Sequence, residues 1–254
     1  MQSLSVVIIC KNEADVIGRT LKSLQGLTDD IVVYDNGSTD HTVTIARQFP
    51  VRVYEGIWEG FGKTKNKAIA LAKHDWILNL DADEAIDEKL KNSILTLSMN
   101  KDIMYKIKFN NFFGDRWLKY GEWGNDWHIR FFNRKTVNWD EAPVHEELVY
   151  PQGTRIVKLK GSILHYTAIN LEKYRSKLMN YAELNAKKYY ENGKKAGALK
   201  KYYAAIFSFI QNYIFRAGFL DGKAGYQCAV LMAAYTFNKY AILKNLSSGE
   251  RNAT

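Results

Sequence analysis

The chain has 254 residues, of which 46% are hydrophobic, 13% aromatic and 25% charged, with a formal net charge of +9. That balance excludes a disordered or fibrous chain and suits one large domain, or one domain of typical size with an appended subdomain. Cys10 and Cys228 are the only cysteines, so a disulfide framework or thiolate zinc cluster is excluded and two core thiols in a reducing compartment are expected.

Leu4 to Cys10 is an apolar run rich in β-branched residues with no basic leader before it. It reads as a first strand rather than a signal peptide, an expectation that places the protein in the cytoplasm. Val16, Ile17, Thr20, Leu21 and Leu24 follow at helical spacing. Ile31 to Tyr34 reads as a second strand, ending at the turn-rich hexapeptide Asp35-Asn-Gly-Ser-Thr-Asp40, in which Ser38 or Thr39 could cap a helix running to Arg47. Val51 to Tyr54 is a third short strand, Thr64 to Ala72 a helix, and Trp76 to Leu80 a fourth strand. This alternation predicts an α/β fold: a Rossmann-like, mostly parallel central sheet with helices on both faces. Asp87 to Met99 reads as a further helix, and Met104 to Phe109 alternates like a half-exposed strand. Four of the six tryptophans lie between Asn111 and Trp139, which suggests strands and loops walling a cleft. From Leu171 onward the pattern is helical.

The run Trp76-Ile-Leu-Asn-Leu-Asp81-Ala-Asp83-Glu84 is the most telling stretch. A strand covered on both faces accepts Ile77, Leu78 and Leu80, but ionised carboxylates are almost never fully buried unpaired, so Asp81 and Asp83 should emerge at its carboxyl end. Ligands of open α/β sheets bind at that edge, and Mg2+ or Mn2+ takes one or two carboxylates there together with phosphate oxygens. A dinucleotide fingerprint is missing: Cys10-Lys-Asn-Glu-Ala-Asp15 has no glycine, which argues against NAD.

The ordered set Lys11-Asn12-Glu13, Asp35-Asn-Gly-Ser-Thr-Asp40, Gly62-Lys63-x-x-Asn66-Lys67-Ala68 and Asp81-Ala-Asp-Glu84 resembles glycosyltransferase family 2, the nucleotide-sugar-dependent enzymes of the A-type glycosyltransferase fold. The resemblance spans roughly residues 3 to 170. Within the family the chain is most similar to bacterial β-glycosyltransferases of lipopolysaccharide core assembly, through Ala142-Pro-Val-His-Glu146 and Gly218-Phe-Leu-Asp-Gly222. It implies an inverting hexosyltransferase with a UDP-sugar donor, Mn2+ or Mg2+ as cofactor, and a lipid-linked saccharide acceptor.

The roles implied are these. Asp83 is the first metal ligand, and Asp81 contacts the ribose or the metal through water. Asp35 accepts from the base edge, although a D-N-G aspartate is also a common turn former. Glu13 lines the base pocket or is simply a helix-start acid. Lys63 and Lys67, four apart on one helical face, approach the base or diphosphate unless they are merely solvated. Inversion needs a base for the acceptor hydroxyl. His145-Glu146 stands where the family carries its acidic pair, so Glu146 is the expected base, with Glu147, Asp140 and Asp126 as rivals and His145 orienting base or substrate. His165 completes the metal site or is a buried core histidine.

Residues 171–254 hold 14 Lys+Arg against 5 Asp+Glu, the whole of the positive excess. The apolar runs Tyr202–Phe215 and Tyr226–Phe237 are too short to span a bilayer. They suit paired interfacial helices, with Lys187, Lys188, Lys194, Lys195, Lys200 and Lys201 near anionic lipid, or a hairpin packed on the rest of the chain. Their continuous apolar content disfavours nucleic acid. The expected organisation is a catalytic domain over 1–170 and a basic helical, membrane-associating module over 171–254, peripheral on the cytoplasmic face of the inner membrane. A polyprenyl-phosphate sugar synthase and a non-catalytic glycan- or membrane-binding module are the alternatives.

Overall fold

The structure is a computed structural model that describes residues 3–140, 146–168 and 171–249. The first half alternates as the sequence predicts: β1 (Leu4–Cys10), α1 (Ile17–Ser23), β2 (Ile31–Asp35), α2 (Thr42–Ala46), β3 (Arg52–Glu55), α3 (Phe61–Ala70) and β4 (Trp76–Asp81). There follow β5 (Glu84–Ile86), α4 (Glu88–Leu95), β6 (Ile103–Phe113), β7 (Arg116–Trp117), β8 (Asp126–Asn133), β9 (Asn138–Trp139), β10 (Leu148–Val149) and β11 (Arg155–Ala168). The rest is helical, with α5 (Leu171–Glu191), α6 (Lys200–Ile210) and α7 (Gly222–Gly249). The main sheet runs β3-β2-β1-β4-β8-β6-β11-β5, with β7 paired to β6.

β1 pairs in parallel with both β2 and β4, and β2 in parallel with β3. The chain thus passes outward from β1 to β3 and then returns to β1's other side, and the crevice at that reversal is where open α/β sheets take ligands. Antiparallel β8 adds to β4, and antiparallel β5 and β11 close the far edge. The period-2 pleat sends Val6, Ile8 and Cys10 into one apolar layer with Ile17, Leu21 and Leu90, and Val7 and Ile9 into the opposite layer with Ala68 and Ile69. Each fully buried aliphatic contributes about 1.5–3 kcal/mol. Helices therefore lie on both faces, as expected.

Two local expectations change. The helix after the D-N-G-S-T-D turn is shorter than expected and is not capped by Ser38 or Thr39. Asp40 accepts the Thr42 amide (2.9 Å), because the Ser38 hydroxyl is turned back to Asp35 (2.5 Å). The helix expected from Asp87 to Met99 ends at Leu95, and Asp87 is its N-cap, accepting from the Leu90 amide at 2.7 Å.

The chain divides into two compact units. One holds residues 1–109 and 127–165, the other 110–126 and 166–254. The division falls inside the long strands β6 and β11, and the aromatic segment 110–126 groups with the helices. In the second unit Phe113, Leu118, Tyr174, Leu178 and Cys228 form one apolar cluster, and Ala186, Ala196 and Leu243 a smaller one. Asp221 is buried and accepts the backbone N–H groups of Lys119 (3.0 Å) and Tyr120 (2.9 Å), fixing the aromatic loop. Gly225 must be glycine, since a Cβ there would lie 2.0 Å from the Gly218 carbonyl. Cys10 and Cys228 are both buried and free, as expected of core thiols.

Candidate active site

The first unit sets Glu13, Asp35, Asp81 and Asp83 at or just past the carboxyl ends of β1, β2 and β4. Register sets Cys10 opposite Asp35 and Ile9 opposite Asp81. Asp35, at the end of β2, is buried; it accepts from the amides of Gly37 (3.0 Å) and Ser38 (2.8 Å) as well as the Ser38 hydroxyl. Its turn-forming role is therefore plain in the structure.

The K-N-E and D-N-G-S-T-D motifs are two halves of one object. The Asn12 amide donates to the Ser38 hydroxyl (2.8 Å), and the Thr39 amide donates to the Asn12 side chain (2.8 Å). The Glu13 amide donates to the Thr42 hydroxyl (2.8 Å) and the Ala14 amide to Asp40 (3.2 Å). Asn12 takes a left-handed φ of 57°, which asparagine tolerates better than most residues. Glu13 is half-buried at this stitched edge.

Asp81 is the last residue of β4, and Asp83 follows after Ala82, whose carbonyl accepts from the Thr20 hydroxyl of α1 at 2.7 Å. Arg130 of β8 donates through one nitrogen to Asp81 (2.9 Å) and to Glu84 of β5 (2.5 Å). Glu84 in turn accepts the Asp81 amide at 3.1 Å. Burial alone would raise the Asp81 carboxyl, but the charges of Lys65 and Arg130 outweigh it and hold Asp81 below the usual carboxylate range. Burial pushes Glu84 up, against the pull of Arg130. A guanidinium shared by two carboxylates at a strand end is an uncommon cost to accept in a core, and its Nε has no hydrogen-bond partner among the described residues.

His165 of β11 pairs in register with Glu84, and its Nε2 lies 3.5 Å from Asp83 Oδ2. Burial disfavours its charged form, but the Asp83 carboxylate beside it raises its pKa overall. Among the described residues no three His, Cys, Asp or Glu side chains converge as a ready-made metal cluster. A carboxylate and an imidazole at this spacing nevertheless fit a hard-to-borderline divalent cation whose other positions are taken by diphosphate and water.

On α3, Lys63 and Lys67 share an exposed face, and Lys67 pairs with Glu59. Lys65 is the buried lysine: its ammonium lies 4.3 Å from the Trp139 ring centroid and 2.8 Å from Glu146 Oε1. Asn66 holds the Trp139 backbone from both sides, accepting its N–H (3.0 Å) and donating to its carbonyl (2.8 Å), and the Trp139 indole donates to Asn79 of β4 (3.0 Å). The G-K-x-x-N segment thus holds Trp139 through Asn66 and meets Glu146 directly through Lys65. Lys65 could have been found from sequence, since it stands three and four residues before the core-facing Ala68 and Ile69. Arg130 and Glu84 carried no such signal.

Among the rivals for the base, Asp140 accepts the Glu147 amide (3.0 Å) and Glu147 is exposed, while Asp126 belongs to the second unit and accepts from Asn111 at 3.1 Å. His145 lies outside the described residues. Of the tryptophans, Trp123 packs against Phe113 and Tyr174, whereas Lys119 sits over Trp117 and Lys158 over Trp127.

A model described as glycosyl transferase family 2 matches residues 5–147, more than half of the chain and all of the stitched edge. The chain belongs to glycosyltransferase family 2. An uncharacterized glycosyltransferase of Rickettsia typhi is 30% identical over 264 residues, covering 99% of this chain and 90% of its own length. The lipopolysaccharide core biosynthesis glycosyltransferase LpsC of Rhizobium meliloti is 26% identical over 262 residues, covering 94% and 93%. Among solved structures, residues 1–349 of S. aureus TarS align with 16% identity and a TM-score of 0.47 over 100% of this chain and 92% of theirs. The expected A-type glycosyltransferase fold and the family assignment both stand, and the protein is a glycosyltransferase.

Proposed function

We propose that this family 2 glycosyltransferase moves a hexose from a UDP-hexose, with inversion, to a hydroxyl of a lipid-linked saccharide such as a lipopolysaccharide core. The observation that carries the reading is Lys65, whose ion pair with Glu146 and charge effect on Asp81 tie the expected base to the D-x-D edge. The full-length similarity to LpsC supports the saccharide acceptor.

The stitched edge around Glu13 and Asp35 receives the nucleoside, with Asp81 toward the ribose. Asp83 and His165 would hold Mn2+ or Mg2+, which when bound stabilises the negative charge gathering on the leaving diphosphate. Glu146 takes the acceptor hydroxyl's proton as that oxygen attacks the anomeric carbon from the face opposite the leaving group. Lys65 fixes the Glu146 carboxylate and cannot leave it easily, being held over Trp139. Lys63, exposed at the start of α3, would approach the diphosphate.

A donor screen by nucleotide release, joined to calorimetric titration of UDP with Mn2+ or with EDTA, tests the reading. UDP release from one UDP-hexose and metal-dependent UDP binding are expected. Equal UDP affinity in EDTA removes the metal role of Asp83, and no UDP binding at all removes UDP-hexose as the donor. A polyprenyl-phosphate acceptor scarcely needs a base, so retention of activity in Glu146→Gln would favour that acceptor class.

A further inference from the structure

The helix α6 is built inside out for a protein in water. Leu199, Tyr202, Tyr203, Ile206, Phe207 and Ile210 recur at helical spacing and are all exposed, Leu199 by 70% and Ile206 by 62%. Its α7-facing side holds Ala204, Ala205, Ser208 and Phe209, all half-buried: the Phe209 ring meets Tyr226 of α7 at 6.0 Å between centroids and the Ser208 hydroxyl meets Thr236 at 3.3 Å, while Tyr202 at the edge of the stripe meets the Phe237 ring at 5.5 Å. The stripe continues through Ile214 and Phe215, the latter 74% exposed, in the π-helical turn Gln211–Phe215. A continuous exposed patch of this kind marks an interaction surface rather than ordinary scatter.

The charge around the stripe says which surface it meets. From Asn192 to Leu220 the chain has Lys194, Lys195, Lys200, Lys201 and Arg216 and no acidic residue. Lys200 lies over the Tyr203 ring at 5.1 Å and Lys201 over Tyr202 at 5.1 Å, so their stems run along the aromatic face and their ammonium groups sit at its margin. A cleft of about 510 Å3 behind Tyr203 and Phe207 is lined by Lys200, Arg216 and Lys239, with Glu122 the acid on its wall. Among the described residues no helix is long and apolar enough to cross a membrane.

We infer that α6 and the turn after it lie in the plane of an anionic phospholipid bilayer, with the apolar stripe at the acyl boundary and the surrounding cations among the headgroup phosphates. A stripe alone would bind a bilayer of any charge; the cations make the attachment selective for anionic lipid by about fivefold per lysine near the surface. The inference stands on the second unit alone and does not depend on the donor or acceptor proposed above.

Flotation of the full chain with vesicles of phosphatidylcholine, with and without phosphatidylglycerol, tests it. The wild type is expected to float with anionic vesicles, and the double variant Ile206→Glu/Phe207→Glu to lose at least tenfold in vesicle affinity. Lys200→Gln/Lys201→Gln is expected to keep the binding to neutral vesicles and lose most of the anionic preference, about 25-fold by the same increments. Leu199→Ser/Phe215→Ser repeats the first test at other exposed positions should the glutamate pair misfold. UDP titration of each variant, expected to match the wild type, separates this result from any failure of the transferase reading. Wild-type protein that does not float, or stripe variants that float equally well, overturn the inference. So does sedimentation showing a dimer that the stripe variants dissociate without a change in flotation, since the face then belongs to a second copy.

Discussion

Lys65 Nζ lies 2.8 Å from Glu146 Oε1, joining α3 to the loop before β10 with a lysine side chain only 4% exposed. The pair sets the position of the proposed base, and removal of either partner has a different consequence. Glu146→Gln is expected to lower kcat by about 10²–10⁴-fold with UDP affinity nearly unchanged, because proton transfer is lost and binding is not. Lys65→Gln keeps the carboxylate but frees it, and a loss on the order of 10²-fold in kcat is expected from misplacement alone. Steady-state kinetics beside UDP titration check both, and a Lys65→Gln enzyme with wild-type kcat would remove lysine from the positioning role.

The contact between Asp83 and His165 leads to a metal prediction. Asp83→Asn and His165→Ala are each expected to weaken Mn2+-dependent UDP binding by about 10–100-fold or more, the range that loss of even an outer partner costs a metal site. UDP binding measured in EDTA should be the same in both variants and the wild type. If only Asp83→Asn has an effect, His165 is a core histidine.

Arg130 predicts stability more than chemistry. Its side chain is 10% exposed and neutralises Glu84, which is 1% exposed, so Arg130→Gln strands a buried carboxylate. A loss of about 3–5 kcal/mol is expected. Chemical denaturation followed by circular dichroism measures it, and a loss below about 1 kcal/mol would mean the carboxylates find other partners.

Asp30 gives the acid sensitivity. Its carboxylate accepts from Ser5 of β1 (2.5 Å), the Lys73 amide before β4 (2.7 Å) and Arg52 of β3 (2.6 Å), tying together the amino-terminal ends of the parallel strands. Burial alone would raise its pKa, but these hydrogen bonds and the Arg52 charge outweigh burial and hold it below the ordinary value. A carboxyl with a lowered folded pKa stabilises the fold fully above its unfolded value, about 3.9, and loses that contribution as pH falls through the folded value. Asp30→Asn is expected to be less stable at neutral pH by about 1–3 kcal/mol and to lose less on acidification. Urea midpoints followed from neutrality down to about pH 3 check the slope, and parallel curves for the two proteins contradict it.

Much of the first unit is written locally. The apolar runs of β1, β2 and β4 and the carboxylates at their ends follow from the two-residue pleat and from the cost of burying charge, so the amino-acid order alone places Asp81 at a strand end. The family motifs also named the stitched edge, though not its cause, which is the mutual hydrogen bonding of Asn12, Ser38, Thr39 and Thr42. The choice among lysines was legible only in part: spacing puts Lys65 on the face of Ala68 and Ile69, but the contact of that face with Trp139 and Glu146 is decided by elements distant in the chain.

The sequence by itself determined the alternation, the parallel half of the sheet, the carboxylate edge, the family and the basic helical end, because each depends on neighbours within a few turns or a short motif. Tertiary structure decided what no local period encodes. Antiparallel β8 and β11, inserted beside elements distant in the chain, bring Arg130 to Asp81 and His165 to Asp83. The packing of α6 on α7 through Ala204, Ala205, Ser208 and Phe209 leaves Ile206, Phe207 and Ile210 outward. Those outcomes depend on which face each element finds for its partner, and that is settled only when the elements pack.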